Sequence, residues 1–267
     1  MELETGITIL GSAIGSAKIL EKILGPTADY LGYQLKEWTE KKVKNTAAIF
    51  KNAEKKLGEK INQDGSVPPK VLKGILNEGA WSEEELQIEY FGGVLASSRS
   101  GVKRDDRGAY FVSLISRLST YQLRTHYILY QSLKKAFDGQ EMNIGESEDR
   151  AKMELFIPYS TYVNSMEFSI EELDSFINLM THSVWGLNKE ELIDNFRYGP
   201  EDYIQNQFKD ANEGGIILQP TSLGIELFMW AYGFGRLNNN DFFKPSIKLD
   251  ELPSIKMAGM YPIKTKE

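Results

Sequence analysis

Apolar positions recur at three- and four-residue steps along the first half of the chain, and this is the signature of amphipathic helices. The first stripe holds Ile7, Leu10, Ile14, Ala17, Leu20 and Leu24. Gly25-Pro26 ends that helix, and Ala28, Leu31 and Leu35 continue the stripe in the next. A longer helix is predicted from about Gln34 to Lys60, with Leu35, Trp38, Val43, Phe50, Ala53, Leu57 and Ile61 inward and a lysine-rich outer face. Pro68-Pro69 opens a short helix through about Leu76. Ser82 to Glu85 reads as a capping box before a helix with Leu86, Tyr90, Phe91, Val94 and Leu95 on one side. Gly92-Gly93 inside that helix costs ~1 kcal/mol per residue relative to alanine. Such a pair marks the close approach of another backbone. Asp105 or Asp106 is placed to cap a helix running to about Leu118, and Ser119 to Gln122 forms a further capping box.

The second half changes character. Gly139 to Asp149 is polar and reads as a linker. Met153 to Val163 is aromatic and β-branched with partial alternation, which predicts a strand. Ser169 to Glu172 and Asn188 to Glu191 are capping boxes for helices to about Thr181 and Phe196. A short apolar strand at Ile216–Leu218 then meets Pro220-Thr221, which opens a helix containing Gly224. That order is shared by many winged-helix domains. The reading is therefore a mainly α protein, with an N-terminal helical bundle over 1–137, a linker over 138–150, an α+β, winged-helix-like domain over 151–237 and an extended tail over 238–267. Strand is expected only in the second half, pairing part of Met153–Val163 with Ile216–Leu218.

The chain has 267 residues, 41% of them hydrophobic, enough for a sizeable core. It has no cysteine, which removes disulfides, thiol nucleophiles and cysteine-ligated metal sites. Residues 1–35 lack a basic start and a cleavage site, and the uncharged run from Thr5 to Ala17 is too short to span a membrane. The stretch suits packing in a bundle, or contact with a membrane surface. The expected location is cytoplasmic, with membrane association on activation.

The net charge of −7 argues against a chain that coats nucleic acid. The charge is uneven: residues 36–60 hold eight Lys against four Glu, whereas 138–213 hold 17 acidic residues against five basic ones. The expected second helix of the winged-helix-like half carries Lys189 and Arg197 among acids, which is poorly basic for reading a groove.

No phosphate-binding loop, dinucleotide fingerprint, nucleophile elbow or zinc-protease motif is present. The two histidines, His126 and His182, have no partner at ligand spacing, so no metal or other cofactor is expected. One dense charged cluster stands out. Arg99, Lys103, Arg104 and Arg107 bracket Asp105 and Asp106 at the junction of two predicted helices. Arg124 and His126 join it if the adjacent helices pack antiparallel. The plain reading is helix capping and surface ion pairs; the functional one is a contact for a phosphate-bearing ligand or a partner.

Several ordered segments carry a resemblance: GPTADYLG at 25–32, IFKNAEKKLG at 49–58, PPKVLKGILNEG at 68–79, EYFGGVLASSRS at 89–100 and DDRGAYFVSLISRLSTYQLRTHY at 105–127. With a return near 216–233, they resemble the Abi-alpha family of bacterial abortive-infection proteins. The resemblance implies phage resistance, by harming or arresting the infected cell. It assigns no catalytic residue. The expected partner is a protein or a phage component, or a membrane surface through residues 1–35; nucleic acid is disfavoured, and an oligomer is compatible with the sequence. Two other classes remain open: a nucleic-acid-binding or regulatory protein using the second half, and a nuclease centred on Asp105, Asp106 and Arg107.

Overall fold

The structure, a computed structural model, describes residues 10–15, 17–25, 40–82, 84–102, 104–249, 251–252, 255, 257 and 264–265. The protein is mainly helical, with a small antiparallel sheet in the C-terminal half. In chain order the elements are α1 (Ala17–Leu24), α2 (Glu40–Leu57), α3 (Pro69–Glu78), α4 (Glu85–Ser98), α5 (Gly108–Arg117), α6 (Thr120–Phe137) and α7 (Ser147–Lys152). There follow β1 (Leu155–Pro158), α8 (Tyr159–Met166), α9 (Ile170–Leu173), α10 (Phe176–Lys189), β2 (Ile193–Gly199), α11 (Glu201–Gln205), β3 (Gly215–Pro220), α12 (Ser222–Ala231) and β4 (Lys264–Thr265).

Two compact units emerge: Met1–Arg117 with Met229–Leu237, and Leu118–Phe228 with Asn238–Glu267. The division lies at Arg117–Leu118 rather than near residue 137. Helix α6 belongs with the second unit because Leu123, Tyr127, Ile128, Leu129, Tyr130 and Leu133 are all buried, leaving it almost no solvent face. Gly186 on α10 admits this packing, since a Cβ there would stand 1.8 Å from Gln122 Nε2.

In the first unit, α4 is the central element. Every residue from Tyr90 to Ser98 is buried, so it is apolar all round rather than on one side. The glycine pair does what the sequence suggests. A Cβ on Gly92 would meet Asn52 Cβ at 2.6 Å and Ile49 O at 3.1 Å, both on α2. A Cβ on Gly93 would meet Ala231 O at 1.7 Å. Gly74 of α3 lies against Val112 of α5 in the same manner. Pro69 opens α3 as expected. The described part of the N-terminal stripe is packed, with Leu10, Ile14, Ile23 and Leu24 buried. Most of the remaining positions to residue 39, Trp38 among them, lie outside the described residues. No multi-strand sheet forms before residue 135 among the described residues; Ser66 and Ser100 form an isolated bridge.

In the second unit the sheet order is β2-β3-β1-β4. Strand β1 pairs with β3 in the register Leu155↔Leu218 and Ile157↔Ile216, the pairing expected from the apolar runs. Phe156, Ile204, Phe208, Ala211 and Ile217 form a cluster of buried side chains.

Four expectations are corrected. The strand within Met153–Val163 stops at Pro158, and Tyr159 to Met166 is helical. Proline ends the pairing because it has no N–H to donate. The Glu213 carboxylate accepts from Ser160 N and Oγ in the first turn of α8. The helix expected from Asn188 is instead strand β2, preceded by the end of α10. Asn188 Nδ2 donates to Ile193 O, and Glu191 takes φ 58 to turn the chain. The winged-helix-like reading thereby loses the helix that would enter a groove. Ser82 does not cap α4: the N-cap is Glu84, and Ser82 Oγ is buried without a partner among the described residues. Finally, residues 138–150 and the start of the expected tail are structured. Asn238 caps a 3-10 turn, Asn239–Phe243, that buries Phe242 and Phe243. Lys134 Nζ donates to Phe242 O and Lys244 O, and Gly139 N donates to Phe243 O.

Candidate functional site

The charged cluster divides once folded. Arg99 turns inward and works as a staple. Its Nε donates to Lys22 O at 2.8 Å, Nη1 to Lys60 O at 3.2 Å, and Nη2 to Ile61 O at 3.3 Å and Gln63 O at 2.6 Å. These carbonyls end α1 and the 3-10 turn Gly58–Asn62, where helix termini leave acceptors without partners. Burial lowers the Arg99 pKa from its ordinary value, and nearby Asp64 opposes that shift. Arg99→Lys is expected to lower stability by about 2 kcal/mol, because one ammonium cannot replace a planar fork across four carbonyls. Thermal melts of the two proteins check this; equal melting temperatures would remove the staple role.

Asp105 receives Arg107 at both oxygens, Nε to Oδ1 at 2.8 Å and Nη2 to Oδ2 at 3.1 Å. Arg236 Nη1 stands 3.4 Å from Asp105 Oδ2. The hydrogen bonds from Arg107 lower the Asp105 pKa, against a smaller opposing effect of burial. The Arg107 guanidinium also lies 5.6 Å from the centre of the buried Trp230 ring. Asp106 pairs with the exposed Lys70 at 3.2 Å. In the first turn of α5, Ala109 N and Tyr110 N donate to the backbone carbonyls of Asp106 and Arg107. Both carboxylates are thus engaged by cations. Among the described residues no group of three or more His, Cys, Asp or Glu is placed to hold a metal ion. Arg104 is exposed and makes no ion pair among the described residues. Lys103 lies outside them.

Arg124 and His126 belong to the second unit and are engaged there. Arg124 donates to Ser165 O at 2.9 Å and to Glu167 Oε2 at 2.5 Å. His126 is fully buried, with Nε2 3.1 Å from Gly224 O, and desolvation lowers its pKa to about 3. The ring is therefore neutral, and since a carbonyl only accepts, Nε2 carries the proton. Arg197, once expected on a helix, bonds Glu154 from strand β2 and is committed to the sheet.

The sequence reading missed a concave feature of the first unit. A cavity of about 300 Å³ lies among Lys56, Lys60, Asp64, Arg99, Phe234 and Arg236. Four cations thus face one carboxylate. Lys56 is paired with Glu89 at 2.6 Å, and the Lys60 ammonium stands 6.0 Å from the centre of the Phe234 ring. Ser97 Oγ holds the wall by donating to Trp230 O and accepting from Gly235 N, both at 3.1 Å. Gly233 takes φ +85, a conformation glycine adopts freely. Three distant stretches build this cavity. The signal available beforehand was the conjunction of EKKLGEK at 54–60 with the glycine-spaced GFGR at 233–236.

Among the described residues, no helix is long and apolar enough to cross a membrane. In comparisons with known proteins, no family model, no curated protein and no solved structure matches the chain.

Proposed function

We propose that this chain is a bacterial anti-phage defence protein that acts by abortive infection, through protein contacts rather than catalysis. The observation that carries the reading is the exposed charge before α5. Arg107, Asp106 and Lys70 have side chains 55%, 49% and 72% exposed, and Arg104 is exposed beside them. Exposed ion pairs contribute only about 0–1 kcal/mol to stability. Charge concentrated there is better suited to meeting a partner, where a charged anchor can be worth ~2 kcal/mol or more. Several segments that resemble the abortive-infection family also interlock in the first unit. Segment 49–58 falls on α2, 68–79 on α3 and 89–100 on α4, and the return near 216–233 supplies Ala231 beneath Gly93.

The test is plating efficiency of a phage panel on bacteria expressing the chain or its Arg104→Glu variant. The parent is expected to reduce plaques from at least one phage. The variant is expected to lose that protection while its stability stays within about 0.5 kcal/mol, as for an exposed substitution. No protection by the parent against any phage of a broad panel would sink the defence reading. Full protection by the variant would move the contact away from Arg104.

A further inference from the structure

We infer that the cavity of the first unit binds a nucleoside polyphosphate, with its phosphates on Lys60 and Arg236 and its base against Phe234. The inference stands apart from the defence reading, since it concerns binding by the purified chain.

The cations around the cavity differ in what they have left to give. Lys56 is occupied by Glu89, and Arg99 by four carbonyls. Those carbonyls are neutral, so Arg99 keeps its full charge and contributes a fixed positive field. Lys60 makes no side-chain hydrogen bond or ion pair among the described residues and is free to turn its three donors inward. Among the described residues Arg236 has a single 3.4 Å approach to Asp105, whose two oxygens already accept from Arg107. Most of its fork is open to an incoming oxyanion, and guanidinium geometry suits phosphate. Two available cations backed by a third favour a ligand with more than one phosphate charge.

The remaining wall is partly apolar, with Gln63, Asp64, Ser97 and Ser100 beside the apolar side chains. Leu57, Ala96, Phe234 and Leu237 line it alongside the cations. Inorganic phosphate would leave this surface unused, whereas a nucleobase would cover it and stack on the Phe234 ring, as bases do on aromatic side chains. Asp64 at the same cavity is an acceptor for sugar hydroxyls. The volume of about 300 Å³ lies at the small end of ligand pockets and suits one nucleotide rather than a strand. The site is also preformed. The Ser66–Ser100 bridge, with hydrogen bonds of 2.9 and 3.0 Å, and the Ser97 bonds fix both sides of it.

The experiment is isothermal titration calorimetry on the full chain with ADP, ATP, pyrophosphate, adenosine and a 5′-phosphorylated oligonucleotide. ADP and ATP are expected to bind with an affinity that falls as salt rises. Pyrophosphate is expected to bind more weakly, and adenosine not measurably. Lys60→Ala and Arg236→Ala should each weaken ADP at least ~10-fold, the loss expected for hydrogen bonds to a charged group. Phe234→Leu should weaken ADP but not pyrophosphate, which separates base contact from phosphate contact. Melting temperatures of all variants are measured, so lost binding counts only for folded protein. If either cationic variant unfolds, Lys60→Gln or Arg236→Gln replaces it, and weakened ADP binding is again expected. No heat from ADP, ATP or pyrophosphate at millimolar concentration overturns the inference. So does ADP binding unchanged by both cationic variants, or an oligonucleotide that binds more tightly than ADP.

Discussion

Gly93→Ala is expected to be among the most damaging single-methyl changes in the chain, costing about 3 kcal/mol and lowering the melting temperature by roughly 10 °C. In an isolated helix the same change would stabilise by ~1 kcal/mol, because alanine is the better helix former. The sign reverses here because of the neighbour. The new Cβ would lie 1.7 Å from Ala231 O and 2.1 Å from its carbonyl carbon. Both are main-chain atoms, so no rotamer change relieves the clash, and α4 must move from the end of α12. Gly101→Ala is the control. Nothing lies within 4 Å of a Cβ built there, and its backbone carries no positive φ. Circular dichroism melts of the three proteins check this. A Gly93→Ala protein that melts within a degree of the parent would mean that the two backbones do not meet as described.

Stability is expected to fall steeply between pH 6.5 and pH 5, and His126 should account for the slope. Its folded pKa is lowered from 6.5 to about 3 by burial. Within that interval the unfolded chain binds a proton that the folded chain refuses. The contribution is therefore fully present above about pH 6.5 and is lost as pH falls toward 3. At pH 5 the loss is about 2 kcal/mol, from ~1.4 kcal/mol per pH unit. Asp105, Asp149, Glu172 and Asp241, all with lowered pKa values, act in the same direction but at lower pH, as their unfolded forms begin to protonate. The window from 6.5 to 5 thus isolates the imidazole. His126→Gln keeps a donor for Gly224 O and removes the titration. It should lower stability at pH 7.5, where the contact with Tyr130 at 4.5 Å is lost, yet flatten the slope below pH 6.5. Urea titrations at pH 7.5, 6.5, 5.5 and 5.0 measure both effects. An unchanged slope in the variant would assign the acid sensitivity elsewhere.

Residues with strong local chemistry were legible before folding. Pro69 opens α3, and Ser119 and Ser169 form their capping boxes with Gln122 and Glu172. These depend on groups a few positions apart, so the sequence contains the whole interaction. The apolar runs that pair as β1 and β3 were also legible, because each is short, apolar and bounded by breakers. The glycine pair of α4 announced a close approach, though not which backbone would make it. At the site, Arg99 and the 104–107 charges stood out by density. Their roles did not, since that depends on Lys22, Gln63, Trp230 and Arg236, which are far away in sequence.

What only the tertiary structure decided follows the same division. Ser82 has the spacing of a cap but is overruled by a 3-10 turn, Gly79–Trp81, that carries it into the interior. Asn188 has that spacing too, but β2 pairs with β3, and cross-strand hydrogen bonds outweigh a weak local preference. Helix α6 reads as the end of a bundle, yet its all-round burial assigns it to the unit that supplies its neighbours. The cavity gathers Lys56 of α2, Lys60 of the 3-10 turn after it, the end of α4 and the glycine-rich segment after α12, none of which signals the others. Periodicity and capping are properties of a dozen consecutive residues. The cation cluster is a property of chain crossings, and only folding brings those charges together.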